Sequence, residues 1–329
     1  MSANLRTPGI GERLTQLAYL LKHTFTIVGR DPGILRPWVR MAIYSIVMAS
    51  LFFLAIIAFV SGAAALGGFL IAGSVLMFVY KFFYFVRQEM RQSWLVTEAL
   101  KGERRSAAEA GARIKSLIWT CRKIALIDLT VAWMLNMARR SGKAGMLVRL
   151  LMRGIEEVWD LVNHYLLPSA AVDGLGIRES VGQMYRLKDN VPETLTGVFG
   201  IDIAGRAVGT IMGPVYFLLI IGSLVLGLWV GEALPTFYAG DIAVWLEHPE
   251  ALPETLHFNW LPLLLALWLG KIGSVILERV TTSVKVIYFS IFYMRITHLE
   301  DIIPEIREQL DSYLRMEARD PEPVVTPST

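Results

Sequence analysis

Residues 41–80 read MAIYSIVMASLFFLAIIAFVSGAAALGGFLIAGSVLMFVY, and the run contains no charged residue. Arg40 precedes the run and Lys81 follows it. One helix needs about 20 apolar residues to cross ~30 Å of hydrocarbon, so the run is long enough for two helices. The small residues at 61–68 lie in its middle and are typical of a turn. The sequence therefore predicts a transmembrane hairpin over residues 41–86.

The composition of the chain also favours a membrane protein. Of its 329 residues, 54% are hydrophobic and 19% are charged, whereas soluble domains carry about 25% charged residues. The net charge of +3 is small and predicts no nucleic-acid partner. Cys121 is the only cysteine, which excludes an internal disulfide. Residues 1–40 carry six Lys and Arg, too many for a cleavable signal peptide, so the first span is expected to act as an uncleaved anchor.

Two further spans are predicted within residues 207–296. Residues 207–231 contain no charge and form span 3. Residues 232–259 carry five acidic residues and no Lys or Arg, and form an acidic loop. Trp260 opens span 4, and the helical pattern continues to Ile296, a length of roughly 55 Å. Because this length exceeds the bilayer, the end of the helix is expected to project out of the membrane.

Residues 87–206 form a charged helical region between the two pairs of spans. They carry 18 Lys and Arg and 13 Asp and Glu. Two half-apolar stretches, 117–137 and 146–171, are predicted to pair as a helical hairpin within residues 113–171. Each charge at the centre of a bilayer costs about 2.5–3.5 kcal/mol on insertion scales. The hairpin is therefore expected to be shallow, re-entrant or buried against the spans, and a full crossing is the alternative.

Amphipathic helices are predicted at both ends of the chain. Within residues 1–40, apolar side chains recur at helical spacing. This helix either lies in the membrane interface or packs on the protein's own bundle. Within residues 297–329, Pro304 is expected in the first turn of a last amphipathic helix. The final residues 320–329 (DPEPVVTPST) predict a disordered tail.

The distribution of charge predicts the orientation of the chain. Residues 1–40 carry six basic residues against two acidic ones, and residues 87–206 are net positive by five. The loop 232–259 is net negative by five. Because basic segments stay on the cytoplasmic side, both termini and the central region are expected in the cytoplasm. The acidic loop then faces outward.

Small residues four positions apart occur in three of the predicted spans. This spacing lets helix backbones approach closely, which is how helices associate in lipid. The pattern predicts packing within the chain, an interface between subunits or a substrate path. The candidate packing residues are Gly205, Gly209, Gly213, Gly227 and Gly231 around span 3, Ala64, Gly68 and Ala72 in span 2, and Ala266, Gly270 and Ser274 in span 4.

Lys271 is the most unusual charged residue of the chain. It follows Trp260 by about three helical turns, which places it ~16 Å deep and near the middle of the membrane. An ammonium group at that depth needs an acidic partner or water. We predict that Lys271 pairs with an acid of the hairpin, and the alternative is that it snorkels to the interface. The candidate partners are Asp128, Glu156, Glu157 and Asp160.

One cluster resembles a set of metal ligands. Glu156, Asp160 and His164 are spaced four residues apart and share one helix face. Carboxylate and imidazole groups can ligate metals, but the same pattern is typical of a polar face paired with basic residues. The chain has no second cluster of this kind, so no metal or cofactor is predicted.

No sequence motif predicts an enzyme. The chain contains no phosphate-binding GxxxxGK[ST] loop, no GxSxG nucleophile turn and no CxxC pair. Arg122 and Lys123 could lower the pKa of the neighbouring Cys121, but an inert cysteine in an apolar helix is the expectation.

Two blocks of the sequence carry a resemblance to a known family. Residues 94–114 read WLVTEALKGERRSAAEAGARI, an apolar segment followed by a charged turn and a short amphipathic helix. Residues 167–200 include a GxGxxES turn at 174–180 and a Thr- and Gly-rich approach to span 3. With the entry at 28–32, these blocks resemble an uncharacterised prokaryotic family of polytopic membrane proteins. The resemblance implies a fold and an inner-membrane location, and it transfers no active site.

The sequence as a whole predicts an all-α polytopic integral membrane protein. Four transmembrane helices, a charged re-entrant hairpin and interfacial helices make up the predicted architecture. We expect a non-catalytic protein that acts as a self-assembling, accessory or scaffold subunit of a membrane complex. Its expected partners are membrane lipids and copies of itself or other membrane subunits. The alternative is a transporter, channel or lipid-handling protein that uses Lys271 and the hairpin carboxylates.

Overall fold

The computed structural model describes residues 28–140, 146–186, 191–230 and 258–308. Within these ranges the chain forms helices and short turns and contains no strand. The α-helices are α1 (Arg36–Val60), α2 (Ala64–Leu100), α3 (Ala107–Ser116), α4 (Ile118–Arg140), α5 (Met146–Asp173), α6 (Ile177–Arg186), α7 (Val191–Val230) and α8 (Leu261–Thr297).

Four helical segments are long and apolar enough to cross a membrane. They are Pro32–Val60, Ala64–Leu100, Ala207–Val230 and Leu261–Thr297. The predicted fold class is confirmed: the described chain is all-α and polytopic, with four helices that are able to span a membrane. The predicted start of span 3 lies inside a longer helix, because α7 already begins at Val191.

A tight turn joins α1 to α2 at the predicted position. Gly62 adopts a left-handed φ of 80°, which glycine reaches without steric cost. The Ala63 N–H donates to the Ala58 carbonyl at 2.9 Å, and the Gly62 N–H donates to the Phe59 carbonyl at 3.2 Å. These two bonds satisfy the last carbonyls of α1 in a Schellman motif. The small residues of the hairpin turn therefore serve to end one span and start the next.

The burial of α2 changes abruptly along its length. Before Phe82, only Gly67 and Ser74 are buried. From Phe82 to Leu100, most side chains are buried. At ~1.5 Å per residue, this change comes ~27 Å from the start of the helix, close to the thickness of the hydrocarbon core. The second part of α2 therefore packs on protein, beyond the length that a bilayer core requires.

The last helix, α8, shows the same change of environment. Over the stretch 261–282, only Pro262, Ala266, Val275 and Arg279 are buried. Over the stretch 283–294, nearly every side chain is buried. The predicted long helix is confirmed to Thr297, and its last part is deeply packed.

These changes divide the described chain into two halves. The apolar half comprises α1, residues 64–81, residues 207–230 and residues 261–282. The packed half comprises residues 28–35, 82–128, 158–185 and 283–306, and two buried clusters hold it together. One cluster joins Ile34, Leu95, Val96, Leu100, Ala110, Ile287, Ile291, Met294, Ile302 and Ile306. The other joins Val86, Met90, Ile114, Cys121, Ile124, Ala125, Leu166, Leu167, Ala170, Ala171 and Val286.

The hairpin expected within residues 113–171 is formed by α4 and α5. Ile124 and Leu167 are fully buried against α2 in the second cluster. Past Asp128, the described side chains of α4 turn outward, and Trp133 is 61% exposed. Neither helix is among the four segments that meet the length and composition of a span. The first part of α4 and the last part of α5 thus hold the hairpin in the packed half, and both lie away from the residues that connect the two helices.

The first residues of the predicted tail region also pack. Pro304 begins a helical turn, as the sequence predicts, and Ile306 is buried in the first cluster. The Ile303 N–H donates to the Leu100 carbonyl at 3.1 Å. Residues 1–27, 231–257 and 309–329, with the amphipathic helix, acidic loop and tail predicted there, lie outside the described residues.

Candidate functional site

A buried ion pair ties the hairpin to the last helix. Lys285 of α8 extends its Nζ to 2.7 Å from Oδ2 of Asp160 on α5. The other carboxylate oxygen, Oδ1, lies 3.2 Å from Nδ1 of His164, one turn along the same helix. Lys285 is only 7% exposed. Because a buried ammonium group requires a partner, Asp160 fixes where α5 sits on α8.

The electrostatics of this cluster follow from its geometry. Burial alone would raise the pKa of Asp160, but His164 and Lys285 outweigh it and hold the pKa well below its usual range. Burial lowers the pKa of His164, but the carboxylate of Asp160 raises it by more, so the net shift is upward. Both shifts favour the charged forms. We call this cluster of Lys285, Asp160 and His164 the triad.

His164 keeps one ring nitrogen without a hydrogen bond. Its ring stacks on Phe289 of α8, with centroids 5.4 Å apart. Nε2 is buried and has no hydrogen-bond partner among the described residues. Its neighbour Asn163 likewise buries Oδ1 without a partner there. An imidazole nitrogen in such a position can donate or accept a proton.

Glu89 of α2 faces this triad from a third helix. Its side chain is buried, and the charges of His164 and of Arg279 on α8 both act on its carboxylate. Within the described residues, Glu89 forms no ion pair shorter than about 4 Å. Arg279 instead pairs with the adjacent Glu278 and lies over the ring of Phe85, 4.5 Å from its centroid. Four ionisable groups from three helices therefore converge, and one carboxylate has no direct partner in the described chain.

A seam of neutral polar groups continues between α2 and α8. Gln92 Nε2 donates to Ser283 Oγ at 2.6 Å. Further along α8, Ser290 Oγ donates to Ser93 Oγ at 2.7 Å. All four side chains are buried. Hydrogen bonds of this kind let two helices bury polar residues without leaving them unsatisfied, although Gln92 Oε1 has no partner in the described chain.

A second cluster of ionisable side chains lies where the ends of α5 and α8 meet. The hydroxyl of Tyr293 donates to Asp173 at the end of α5. His298 Nε2 lies 2.9 Å from the other Asp173 oxygen, and its Nδ1 lies 3.4 Å from Asp301. No pattern in the sequence predicts this group, since its members come from two distant helix ends and follow no shared period.

Lys271 lies apart from the cluster. Its side chain is exposed on the apolar half of α8. Among the described residues, no carboxylate lies within ion-pair distance of its ammonium group. The side chains of Glu156 and Glu157 lie outside the described part of the chain, so a partner for Lys271 stays a prediction. Lys285, two heptads further along the same helix, is the lysine that pairs with the hairpin.

The remaining hairpin acids have separate roles. Asp128 of α4 accepts a hydrogen bond at 3.1 Å from Nε1 of Trp159 on α5, which links the two helices of the hairpin. Asp160 and His164 contact each other, as expected for residues one turn apart. Because Lys285 supplies the positive charge beside Asp160, the arrangement favours a paired polar face over a metal site.

Several glycines in and near span 3 lie against other parts of the chain. Gly205 and Gly209 face α8, where a Cβ at Gly205 would lie 2.9 Å from Oγ1 of Thr281. Gly270 of α8 receives the ring of Tyr216. Gly227 lies against Asn259, whose carbonyl would be 2.6 Å from an added Cβ. These glycines serve packing within the chain.

Other small residues of the predicted ladders have no close neighbour within the described chain. A Cβ at Gly213 or Gly68 would meet nothing within 4 Å. Of the remaining candidates, Ala266 is buried, Ala64, Ala72 and Ser274 are exposed, and Gly231 lies outside the described residues.

Cys121 is buried in the second cluster of the packed half. Burial raises the pKa of its thiol to about 11, although Arg87 and Arg91 lie near enough to oppose the shift. A thiol with that pKa carries almost no thiolate at neutral pH. The expectation of an inert cysteine fits this environment.

Comparison with known proteins adds no family to this description. No protein-family model, no curated protein and no solved structure gives a significant match to the chain. The resemblance to an uncharacterised prokaryotic membrane-protein family stays a prediction. Functional conclusions therefore rest on the geometry of the chain itself.

Proposed function

We propose that this chain is a non-catalytic integral membrane protein that acts as a self-assembling scaffold subunit. The observation that carries the proposal is the outward surface of α7. Within residues 207–230, only Ser223 and Gly227 are buried, and no residue is charged. The described part of the chain therefore leaves nearly the whole of this span uncovered.

The exposed surface of α7 contains a stripe with heptad spacing. Its side chains recur alternately four and three positions apart, the spacing by which paired helices interlock. Near its middle, Gly222 has open space around its Cβ position and allows a second backbone to approach. The stripe consists of Ile211, Val215, Leu218, Gly222, Val225 and Trp229, all exposed.

A second copy of the chain is the occupant that we assign to this stripe. A stripe without charges can meet its own image across a two-fold axis without repulsion. Intramolecular packing already uses the other side of α7, because Gly205 and Tyr216 contact α8. The packed half supports the assembly as a rigid platform, since Lys285 and Asp160 fix the hairpin to α8.

The proposal includes a location in the prokaryotic inner membrane with both termini in the cytoplasm. The charge distribution supports it, since residues 87–206 are net positive by five. The packing of the first and last described segments of the chain supports it as well. Ile34 and Ile306 lie in one buried cluster, at the same end of the bundle.

A matched pair of glycine variants tests the assembly. Gly222→Ile places a branched side chain on the stripe, and Gly213→Ile places the same side chain off it. Neither position has an atom within 4 Å that the new Cβ would meet. We expect Gly222→Ile to weaken self-association by about 1–3 kcal/mol, because overpacking disrupts a close helix contact. Gly213→Ile should leave it unchanged.

Native mass spectrometry of the detergent-solubilised chain over a range of concentrations measures the effect. The wild-type chain should appear as a dimer or larger assembly that dissociates on dilution. A wild-type chain that is monomeric at every concentration would contradict the proposal. Equal behaviour of the two variants would show that the stripe is not the interface.

A second function, as a transporter, channel or lipid-handling protein, is supported by a different observation. Glu89 is buried without a direct partner in the described chain, and His164 keeps a buried nitrogen without a hydrogen bond there. Ionisable groups in membrane-spanning helices can relay protons in transporters, and Glu89 lies within the candidate span Ala64–Leu100. Reconstituted vesicles with a pH gradient test it: proton flux that Glu89→Gln abolishes and Lys271→Gln reduces would favour transport. Vesicles that hold the gradient equally with and without the protein would argue against it.

A further inference from the structure

Three arginines meet on one side of the bundle without an acidic partner in the described chain. Arg87 and Arg91 are one turn apart on α2, and Arg40 of α1 lies close enough for its charge to act on Arg91. The charges of Arg87 and Arg40, both of which are cations, act on Arg91. Among the described residues, none of the three has a carboxylate within ion-pair distance. The local charge is therefore strongly positive and uncompensated by this part of the chain.

The guanidinium groups are also short of hydrogen-bond acceptors. Nε of Arg87 and Nε of Arg91 are buried and have no partner among the described residues. Arg91 does donate to Oε1 of Gln88, at 3.3 Å. On its other side, Arg91 lies against Gly111 of α3, where an added Cβ would approach Nη2 to 3.4 Å. A buried guanidinium donor without an acceptor is costly, so the arrangement is complete only with an acceptor from outside the described chain.

The position of the arginine cluster relative to the membrane indicates which kind of hydrogen-bond acceptor it meets. Arg87 lies ~35 Å along α2 from its start, and Arg40 lies ~30 Å from the end of α1. Both positions fall at or just beyond the edge of a hydrocarbon core ~30 Å thick, at the level of the lipid headgroups. Stacked rings of Tyr44 and Tyr84, with centroids 4.6 Å apart, lie between this level and the membrane core. Aromatic rings at that depth are typical of a membrane–water interface.

We propose that Arg40, Arg87 and Arg91 bind the phosphate group of an anionic membrane lipid. Guanidinium groups match phosphate oxygens with paired hydrogen bonds, and basic pockets between spans are where anionic headgroups bind. The acyl chains would run along α1 and α2, whose outward surfaces are apolar. Val39 and Ile43 of α1 are 42% and 55% exposed.

The first test uses the wild-type chain alone. The purified full-length protein is equilibrated with equal amounts of phosphatidylglycerol and phosphatidylcholine, and the lipids retained are counted by native mass spectrometry. We expect preferential retention of phosphatidylglycerol. Equal retention of the two lipids would overturn the proposal. Loss of bound phosphatidylglycerol to millimolar inorganic phosphate, at constant ionic strength, would overturn the assignment to a lipid in favour of free phosphate.

The second test assigns the preference to these residues. Arg87→Gln/Arg91→Gln removes two charges from the site, whereas Arg104→Gln/Arg178→Gln removes two exposed charges elsewhere. At about fivefold per arginine, the first variant should lose on the order of 25-fold in lipid preference, and the control should lose little. Equal losses in both variants would overturn the site. Circular dichroism confirms folding, and Arg87→Lys/Arg91→Lys, which keeps the charge but not the paired donors, should show an intermediate loss.

Discussion

The two halves of this molecule differ in how many of their side chains are buried within the protein. In the apolar half of α8, over 261–282, few side chains are buried, whereas over 283–294, in the packed half, nearly all are buried. Lipid solvates the first part, so its helices need few contacts with one another. The second part packs its helices around a core, the arrangement that the hydrophobic effect favours in water. One continuous helix thus has an exposed apolar part followed by a part that is packed in a protein core.

The difference also explains where polar residues are found. Gln92, Ser283, Ser290 and Lys285 are all buried in the packed half, and each has a partner there. In the apolar half, Lys271 is exposed on the outer surface of α8. Most buried polar groups need a complementary group, which in the packed half comes from a neighbouring helix. Substitutions in the two halves should therefore differ in their cost.

The largest effect is expected from deleting a core ring. Phe289→Ala empties a site that is 0% exposed in the packed half. It should lower the free energy of unfolding by about 3–5 kcal/mol, through lost burial and the cavity left behind. Phe217→Ala, at a site 63% exposed in the apolar half, should change it by less than about 0.5 kcal/mol. Urea unfolding in mild detergent measures both, and equal losses would contradict the division into halves.

Breaking the buried ion pair should come next. Lys285→Met leaves Asp160 without its ammonium partner and should cost about 3 kcal/mol, at the low end for buried pairs because Asp160 is 34% exposed. Lys271→Met serves as the control and should be nearly neutral in the same urea unfolding measurement. If Lys271→Met proves as damaging as Lys285→Met, then Lys271 has the acidic partner that its depth predicts.

Removing a helix cap should have a smaller effect. Arg113 of α3 donates to the carbonyls of Ala171 and Val172, at 3.1 and 2.6 Å, and so caps the end of α5. Arg113→Met should cost about 1–2 kcal/mol. Lys115→Met, on the exposed side of the same helix, is the matched control. Thermal unfolding followed by circular dichroism would show the difference as a lower midpoint for Arg113→Met only.

The smallest effect is expected from titrating His164. Its pKa in the folded protein is raised above the ordinary value of 6.5, because Asp160 outweighs burial. The resulting stability is fully present below pH 6.5 and is lost as the pH rises through the folded pKa. Unfolding free energies at about pH 6 and about pH 9 should therefore differ more for the wild type than for His164→Gln. An identical pH dependence in the two proteins would contradict a charged His164.

Much of the membrane architecture could be predicted, because local runs of residues decide it. The hairpin turn at 61–68 and the long last helix both agree with the structure. The start of span 3 could not be placed, since α7 continues upstream through a polar segment that remains helical. A polar segment shows where a span can leave the membrane, but the helix can continue through that segment.

The candidate site depends on contacts between distant helices, which the sequence predicts only in part. Asp160 was among the hairpin acids predicted to face the last helix, and the structure places Lys285 beside it, whereas Lys271 was the residue expected. Both lysines lie on one stripe of α8, so helical periodicity could not separate them. Glu89 was missed, because polar neighbours such as Arg87 and Arg91 are typical of a solvent-exposed stretch of helix.

The sequence by itself determined that the chain enters a membrane, how many helices are able to cross it and where the first hairpin turns. These properties depend on about 20 consecutive residues at a time, because a helix satisfies its own backbone in lipid. Only the tertiary structure decided which charges meet. It placed Lys285 on Asp160, left Lys271 exposed and gathered three arginines without an acid from the described chain. Such pairings depend on how far each helix extends beyond the membrane and what it then packs against.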